Sequence, residues 1–369
     1  MGMGNPGQLL RSTIDTNFAK LVWRGETAIP ELTIAIGSYL EPEQVQRIAA
    51  QPSVRVAYEP DLLPVPRYPC DHTGRRRELS DASLQEWREL GASADVFFDF
   101  DWLEPQTMPE RCPDLRWIQA TSAGIGAFMS RTGLSSSGLA VTTAGGIHAV
   151  PLSEFVVTGA LYFVKGLPRL RERQEARHWE RYATRQLAGL RALVVGLGGI
   201  GRAVTASLAA LGVEMWGLGR DGGSYDVPGL ARLITRSQVD AALPEIDVLV
   251  LACPLTDETE GMIGAGQIGL MKPDAIIINV SRGQLIDQAA LTAALSTGRV
   301  GGACLDVFAA EPLPSGDPLW ALDNVIISPH SASTVATENA TLVDLFIDNL
   351  GRFRAGSPLR NRYDPVRGY

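Results

Sequence analysis

Residues 191–201 constrain this chain more than any other stretch. Leu193, Val194 and Val195 form a short apolar, β-branched run that stops at Gly196. The spacing Gly196-x-Gly198-x-x-Gly201 follows, and a helical stretch occupies 202–211. Such a run predicts a buried parallel strand. Strand, glycine turn and helix in that order is the setting in which this spacing signifies a dinucleotide site. Gly196 permits a tight turn, Gly198 lets a pyrophosphate approach the backbone, and Gly201 lets the helix pack close to the strand. Gly199 and Ile200 complete the turn. The helix start offers unpaired N–H groups and a partial positive charge to the phosphates. A glycine-rich turn without a ligand is the bland alternative, and the flanking elements make it the weaker one.

The end of the next strand, 213–218, indicates which nucleotide is bound. Sites selective for NAD place Asp or Glu there, about 20 residues on, to bond the ribose 2′-OH. Here the stretch reads Gly217-Leu218-Gly219-Arg220-Asp221. No acid closes the strand, and Arg220 follows Gly219 at once. A guanidinium suits a 2′-phosphate, so NADP(H) is the expected cofactor. NAD(H) is the alternative, because a slip of one or two residues would return the Asp221 carboxylate to the ribose.

Length and charge narrow the rest. A chain of 369 residues predicts two domains. A net charge of −8 leaves no electrostatic footprint for nucleic acid or an anionic membrane. The basic clusters at 75–77 and 169–173 are short and interleaved with acids, as solvated faces are. Four cysteines (Cys70, Cys112, Cys253 and Cys304) lie far apart with no pair at metal spacing, so no metal is expected and a reducing cytoplasm suits them. No apolar run approaches about 18 residues, and no n-region followed by an apolar h-region opens the chain, so a secretory leader is not expected. Residues 1–29 are polar and glycine-spotted and are expected to form a loose arm.

Taken in order, strands are predicted at 32–36, 54–58, 95–100, 115–119 and 139–142, with helices at 41–50 and 81–90. Between them, 59–74 holds four prolines and no periodicity; long loops of this kind are often functional. Ser122, Ala123 and Gly124 lie just after a strand, with backbone amides that suit a carboxylate. A long helix at 151–178, kinked near Gly166 and Pro168, bridges into the nucleotide domain. Further strands are predicted at 248–252, 275–280, 302–305 and 325–328. Val335, Leu342, Phe346, Leu350 and Phe353 mark one face of a final helix that returns to the first domain. The expected division is a substrate domain of 1–150 plus 331–369 around a nucleotide domain of 151–330.

Three strand ends behind the glycine turn carry polar residues: Arg282, then Asp306 with Glu311, then His330. In an open α/β sheet ligands bind outside the carboxyl ends of the strands, so all three converge on one crevice. Hydride transfer to a ketone builds negative charge on the carbonyl oxygen. His330 would donate a proton there and remove the hydroxyl proton in reverse. Glu311 would support the imidazole and fix its tautomer, and Arg282 would grip the α-carboxylate or carbonyl through paired hydrogen bonds. Asp306 would accept from the nicotinamide carboxamide. Singly each has an ordinary structural explanation; together and in order they point to one site. His72, His148 and His178 are read as structural or solvated.

By these residues the chain resembles the D-isomer-specific 2-hydroxyacid dehydrogenases. The resemblance is dense from Gly189 to Thr334. It rests on the glycine turn, Cys253-Pro254-Leu255-Thr256, Asn279-Val280-Ser281-Arg282-Gly283, Leu305-Asp306-Val307-Phe308, Glu311-Pro312 and Ser328-Pro329-His330, with looser matches at 122–124 and 146–149. It implies an α/β protein of two Rossmann-like domains, a flavodoxin-like substrate domain and an inserted, doubly wound parallel-sheet nucleotide-binding domain. It also implies Arg282, Glu311 and His330 as the catalytic set, with Ser122 to Gly124 and Arg282 on the substrate. Pro254 would lie on the adenosine side, and Val280, Arg282, Asp306 and His330 would border the cofactor. A homodimer through the nucleotide domain is implied as well. Relatives that oxidise formate carry Gln at the position of Glu311, which counts against that branch, and the appended regulatory domain of many phosphoglycerate dehydrogenases is not expected. The expected activity is reduction of glyoxylate- or hydroxypyruvate-like 2-ketoacids. The alternatives are a nucleotide-sensing, corepressor-like interaction protein and a phosphite-type dehydrogenase. The stretch 59–80 departs from the family pattern and is expected to reach over the cleft, with Arg67, Tyr68 and His72 near substrate.

Overall fold

The computed structural model describes residues 30–368; the arm expected at 1–29 lies outside them. Five strands form a first parallel sheet: β1 (Leu32–Ile36), β2 (Val54–Ala57), β3 (Val96–Phe98), β4 (Trp117–Gln119) and β5 (Ala140–Thr142). Its order is β2-β1-β3-β4-β5. A second parallel sheet holds β6 (Arg191–Val195), β7 (Glu214–Leu218), β8 (Leu230–Ile234), β9 (Val248–Leu251), β10 (Ile276–Asn279), β11 (Gly302–Leu305) and β12 (Val325–Ile327). Its order is β12-β11-β10-β9-β6-β7-β8. The first order is the flavodoxin-like one; the second is the doubly wound dinucleotide-binding order with a further strand.

Both sheets are covered on both faces, which is why their strands read as unbroken apolar runs. Along β6, Leu193 and Val195 enter one core while Ala192 and Val194 enter the other. In the first sheet Phe97 and Ile118 face one core, and Phe98 and Trp117 the other. Leu152, Val156, Ala160 and Val164 of helix Ala149–Val164 recur at the spacing of one helical face and pack into the core of the second sheet. Helix Glu338–Arg354 lays Leu342, Val343, Phe346 and Leu350 on the first sheet. Phe346 stacks on Trp117 at 5.1 Å between ring centroids.

Several expectations are corrected. The single kinked helix at 151–178 is two helices, Ala149–Val164 and Leu167–Glu175, meeting at 60°. Gly166 between them is left-handed, at φ 63°, which ends the first helix outright. Val335 precedes the last helix instead of lying on its face, and its carbonyl accepts from Cys70 Sγ at 3.5 Å. The edge strand β8 escapes the hydrophobic pattern because three of its five residues are exposed. No single helix among the described residues is long and apolar enough to cross a membrane.

The proline-rich stretch is an ordered loop with its own brace. Leu62 and Leu63 pack on Trp87, and Val65 pairs with Arg75. Asp71 accepts from Arg67 Nε at 2.7 Å, from Arg67 Nη2 at 3.0 Å and from the Gly74 amide at 3.0 Å. Burial pushes the Asp71 carboxyl up, but the Arg67 guanidinium and the two loop amides outweigh it and hold it well below the usual carboxylate range. Arg67 is thus paired within its own loop, with half of its side chain exposed. His72 turns to Asn339, at 2.7 Å, and Tyr68 is exposed.

Candidate active site

The two sheets meet at their carboxyl ends. Gly124, after β4, touches Arg282, after β10; Gly146, after β5, lies against Gly199, after β6.

The glycine turn is built as a cradle. Gly196 has φ 98°, and a Cβ there would lie 2.6 Å from the Ala252 carbonyl oxygen. A Cβ on Gly201 would lie 1.8 Å from the Gly196 oxygen, so the helix could not seat. At Gly198 a Cβ would meet nothing within 4 Å, which leaves open space where a pyrophosphate would pass. Gly198 caps helix Gly199–Ala210 without a side chain, so the first helical amides are open to an anion. Ile200 packs against the core of the second sheet. These residues fit a dinucleotide.

At the end of β7, the Arg220 amide donates to Tyr225 Oη at 2.7 Å. Gly219, half-buried, lies under the Tyr225 ring. Pro254 is exposed just past β9. Val280 sends its side chain into the core, which leaves only its backbone to border a ligand.

Across the cleft, Glu311 Oε2 and His330 Nδ1 are 2.9 Å apart, both partly exposed. Glu311 Oε1 accepts from the Phe308 amide at 3.0 Å, which fixes the carboxylate. With Nδ1 on Glu311, the imidazole presents Nε2 to the cleft. His330 is held at φ 55°, a sparsely populated region for a residue with a side chain. Asp306 keeps it there. The Asp306 carbonyl accepts from the His330 amide at 2.9 Å, while Oδ1 accepts from Ser328 Oγ at 2.6 Å and from the Ser331 and Ala332 amides at 2.9 Å each. Asp306 is 2% exposed, so Oδ1 braces the histidine loop rather than standing open to a carboxamide.

Arg282 bonds the Ser281 carbonyl through Nη1 at 2.6 Å and the Gly124 carbonyl through Nη2 at 3.4 Å. Burial lowers the guanidinium pKa, and the nearby Glu311 charge opposes that shift. Ser122 and Gly124 are exposed to the cleft, Ala123 less so.

Residues 157–332 match the family described as D-isomer specific 2-hydroxyacid dehydrogenase, NAD binding domain. A hydroxypyruvate reductase of Blautia hydrogenotrophica is 30% identical over 77% of this chain and 89% of its own length. The chain belongs to the D-isomer-specific 2-hydroxyacid dehydrogenase family. It is accordingly an NAD(P)-dependent oxidoreductase of CH–OH groups. A glyoxylate/hydroxypyruvate reductase B of Yersinia enterocolitica is 31% identical over 70% of this dehydrogenase and 81% of its own length. The crystal structure of a family member from Xanthobacter autotrophicus, in complex with NADPH and MES, superposes with a TM-score of 0.73 at 28% identity, covering 92% of this dehydrogenase and all of that chain (100%).

Arg282, Glu311 and His330 therefore share one cleft with the glycine turn and the 122–124 loop. Of the other histidines, His148 lies 3.2 Å from Glu338, and His178 is solvated beside Glu180. Sequence reasoning missed the Asp306 brace, because its partners are two backbone amides and a serine hydroxyl that no motif advertises. It also missed Gly146 against Gly199 and Tyr225 over Gly219, contacts made between segments remote in sequence or across a turn.

Proposed function

We propose that this dehydrogenase reduces glyoxylate- or hydroxypyruvate-like 2-ketoacids with NADP(H) as the preferred cofactor. The observation that carries this reading is the 2.9 Å Glu311–His330 pair facing the Arg282 guanidinium, which itself reaches the Gly124 carbonyl. A bound reduced nicotinamide supplies the hydride. Arg282 and the amides at 122–124 hold the substrate carboxylate and turn the carbonyl toward His330. As charge grows on the carbonyl oxygen, His330 Nε2 delivers a proton to it. Glu311 stays on Nδ1, fixing the ring and stabilising its protonated form. In the oxidative direction Nε2 takes the hydroxyl proton back.

Arg220 at the end of β7 supports the NADP(H) preference, as does the NADPH held by the Xanthobacter relative. The packing of 149–164 on the second sheet and of 338–354 on the first supports a division into 1–150 plus 331–369 and 151–330. A homodimer is supported by apolar side chains on and after helix Leu167–Glu175, where Leu167 is 42%, Leu170 50% and Trp179 97% exposed. Four cysteines, all free and buried, suit a cytoplasmic enzyme.

The test is NADPH and NADH oxidation with a panel of 2-ketoacids. The expected result is turnover with glyoxylate or hydroxypyruvate and a higher kcat/KM with NADPH. Nucleotide binding without turnover of any ketoacid would refute the proposal.

A further inference from the structure

The loop after β7 is folded around one aromatic side chain. The Tyr225 ring lies over two glycines: a Cβ on Gly219 would come within 2.1 Å of the ring, and one on Gly223 within 2.6 Å. Gly222 between them is left-handed at φ 72°, and the Gly223 amide donates to the Arg220 carbonyl at 3.1 Å, closing a turn over 220–223. The phenolic oxygen accepts from the Arg220 amide at 2.7 Å. Arg202, in the first turn of the glycine helix, reaches the Asp226 carbonyl and ties the far end of the loop to the phosphate cradle. Tyr225 thus fixes residue 220 by its amide, while the ring excludes any side chain from 219 and 223.

We propose that Tyr225 is the positioning residue that sets the register of this loop, so that Arg220 rather than Asp221 meets the ribose 2′ substituent. The inference rests on the NADP(H) reading and deepens it: discrimination between the two nucleotides belongs to a residue seven positions beyond the end of β7 and five beyond the arginine. The reason is geometric. A one-residue slip would exchange a guanidinium for a carboxylate at the same place, turning attraction for a phosphate into repulsion. Small glycines alone would not prevent the slip; the ring wedged over Gly219 and the bond to the Arg220 amide do.

The experiment uses the full-length protein and two nucleotides that differ only in the 2′-phosphate, adenosine 2′,5′-bisphosphate and adenosine 5′-monophosphate, with Kd measured by calorimetry. Tyr225→Phe keeps the ring and removes the acceptor; it is expected to weaken the bisphosphate about three- to tenfold, the worth of one hydrogen bond, and to leave the monophosphate unchanged. Gly219→Ala displaces the ring and is expected to cost at least as much. Gly219→Ala combined with Tyr225→Ala should be no worse than Tyr225→Ala alone, because both act through the same contact. Unchanged monophosphate binding shows that each variant folds. If Arg220→Ala separates the two nucleotides but Tyr225→Phe and Gly219→Ala do not, the role of Tyr225 is refuted and the cofactor reading stands. If Arg220→Ala does not separate them either, the NADP(H) reading itself fails, and this inference with it.

Discussion

Gly124→Ala divides catalysis from folding more cleanly than a change to any charged residue. A Cβ at position 124 would lie 1.6 Å from Arg282 Nη2 and 2.9 Å from Cζ. Nothing rigid stands there: the obstacle is the far end of a long side chain, which can swing away. Gly124 is also exposed, and its φ lies outside the left-handed region, so an alanine meets no backbone strain. Stability should therefore change by no more than about 0.5 kcal/mol, as for other surface substitutions. The guanidinium, however, loses the place from which, in the proposed mechanism, it would hold substrate. A hydrogen bond to a charged group is worth about 1.5–3 kcal/mol, which corresponds to a fall of about 10- to 150-fold in kcat/KM for the ketoacid. NADPH affinity should stay unchanged, since the cradle at 196–201 is untouched. Steady-state kinetics, thermal unfolding and nucleotide titration would be measured together, with Arg282→Ala and the double variant completing a cycle. The double variant should be no worse than Arg282→Ala, because the methyl group acts only by displacing the arginine. Wild-type kcat/KM in Gly124→Ala would refute the assignment of Arg282 to the substrate carboxylate.

His330→Gln should lower turnover by about 10²- to 10⁴-fold with nucleotide binding nearly intact; a large loss of NADPH affinity instead would make His330 structural. Asp306→Ala strands the Ser331 and Ala332 amides at about 1–3 kcal/mol each, so both stability and turnover should fall. Asp306→Asn keeps an acceptor at Oδ1 and should restore most of both, and equal damage from the two would argue against a bracing role. Asp71 titrates below its unfolded value because of Arg67 and the loop amides, so its contribution is complete above about pH 4 and is lost as pH falls through the folded pKa. Urea unfolding should accordingly find Asp71→Asn less stable than wild type at pH 7, with the gap narrowing under strongly acid conditions. Burial pushes the thiols of Cys112 and Cys253 up to about 11 and that of Cys304 up to about 12, and raises Cys70 as well. A chromogenic thiol reagent at pH 8 should thus find no fast-reacting cysteine in the native enzyme and four in denaturant; a rapid native reaction would contradict that burial.

The sequence by itself determined the two-sheet architecture, because a parallel strand buried on both faces must be apolar throughout and a glycine turn must follow one of them. It also pointed to the residues proposed for the chemistry, since Arg282, Glu311 and His330 each lie in a loop that follows the carboxyl end of a strand, where an open α/β sheet binds ligands. Local pattern could not reveal β8, whose exposed edge residues obey no period; it placed the bend near Gly166 but not the complete break there, which depends on one left-handed φ. The tertiary structure alone decided that Arg67 pairs with the buried Asp71, that Asp306 braces the histidine loop, and that Tyr225 roofs Gly219. Those are contacts between side chains and backbone groups whose partners are chosen by three-dimensional proximity, and residue type carries almost no record of that choice.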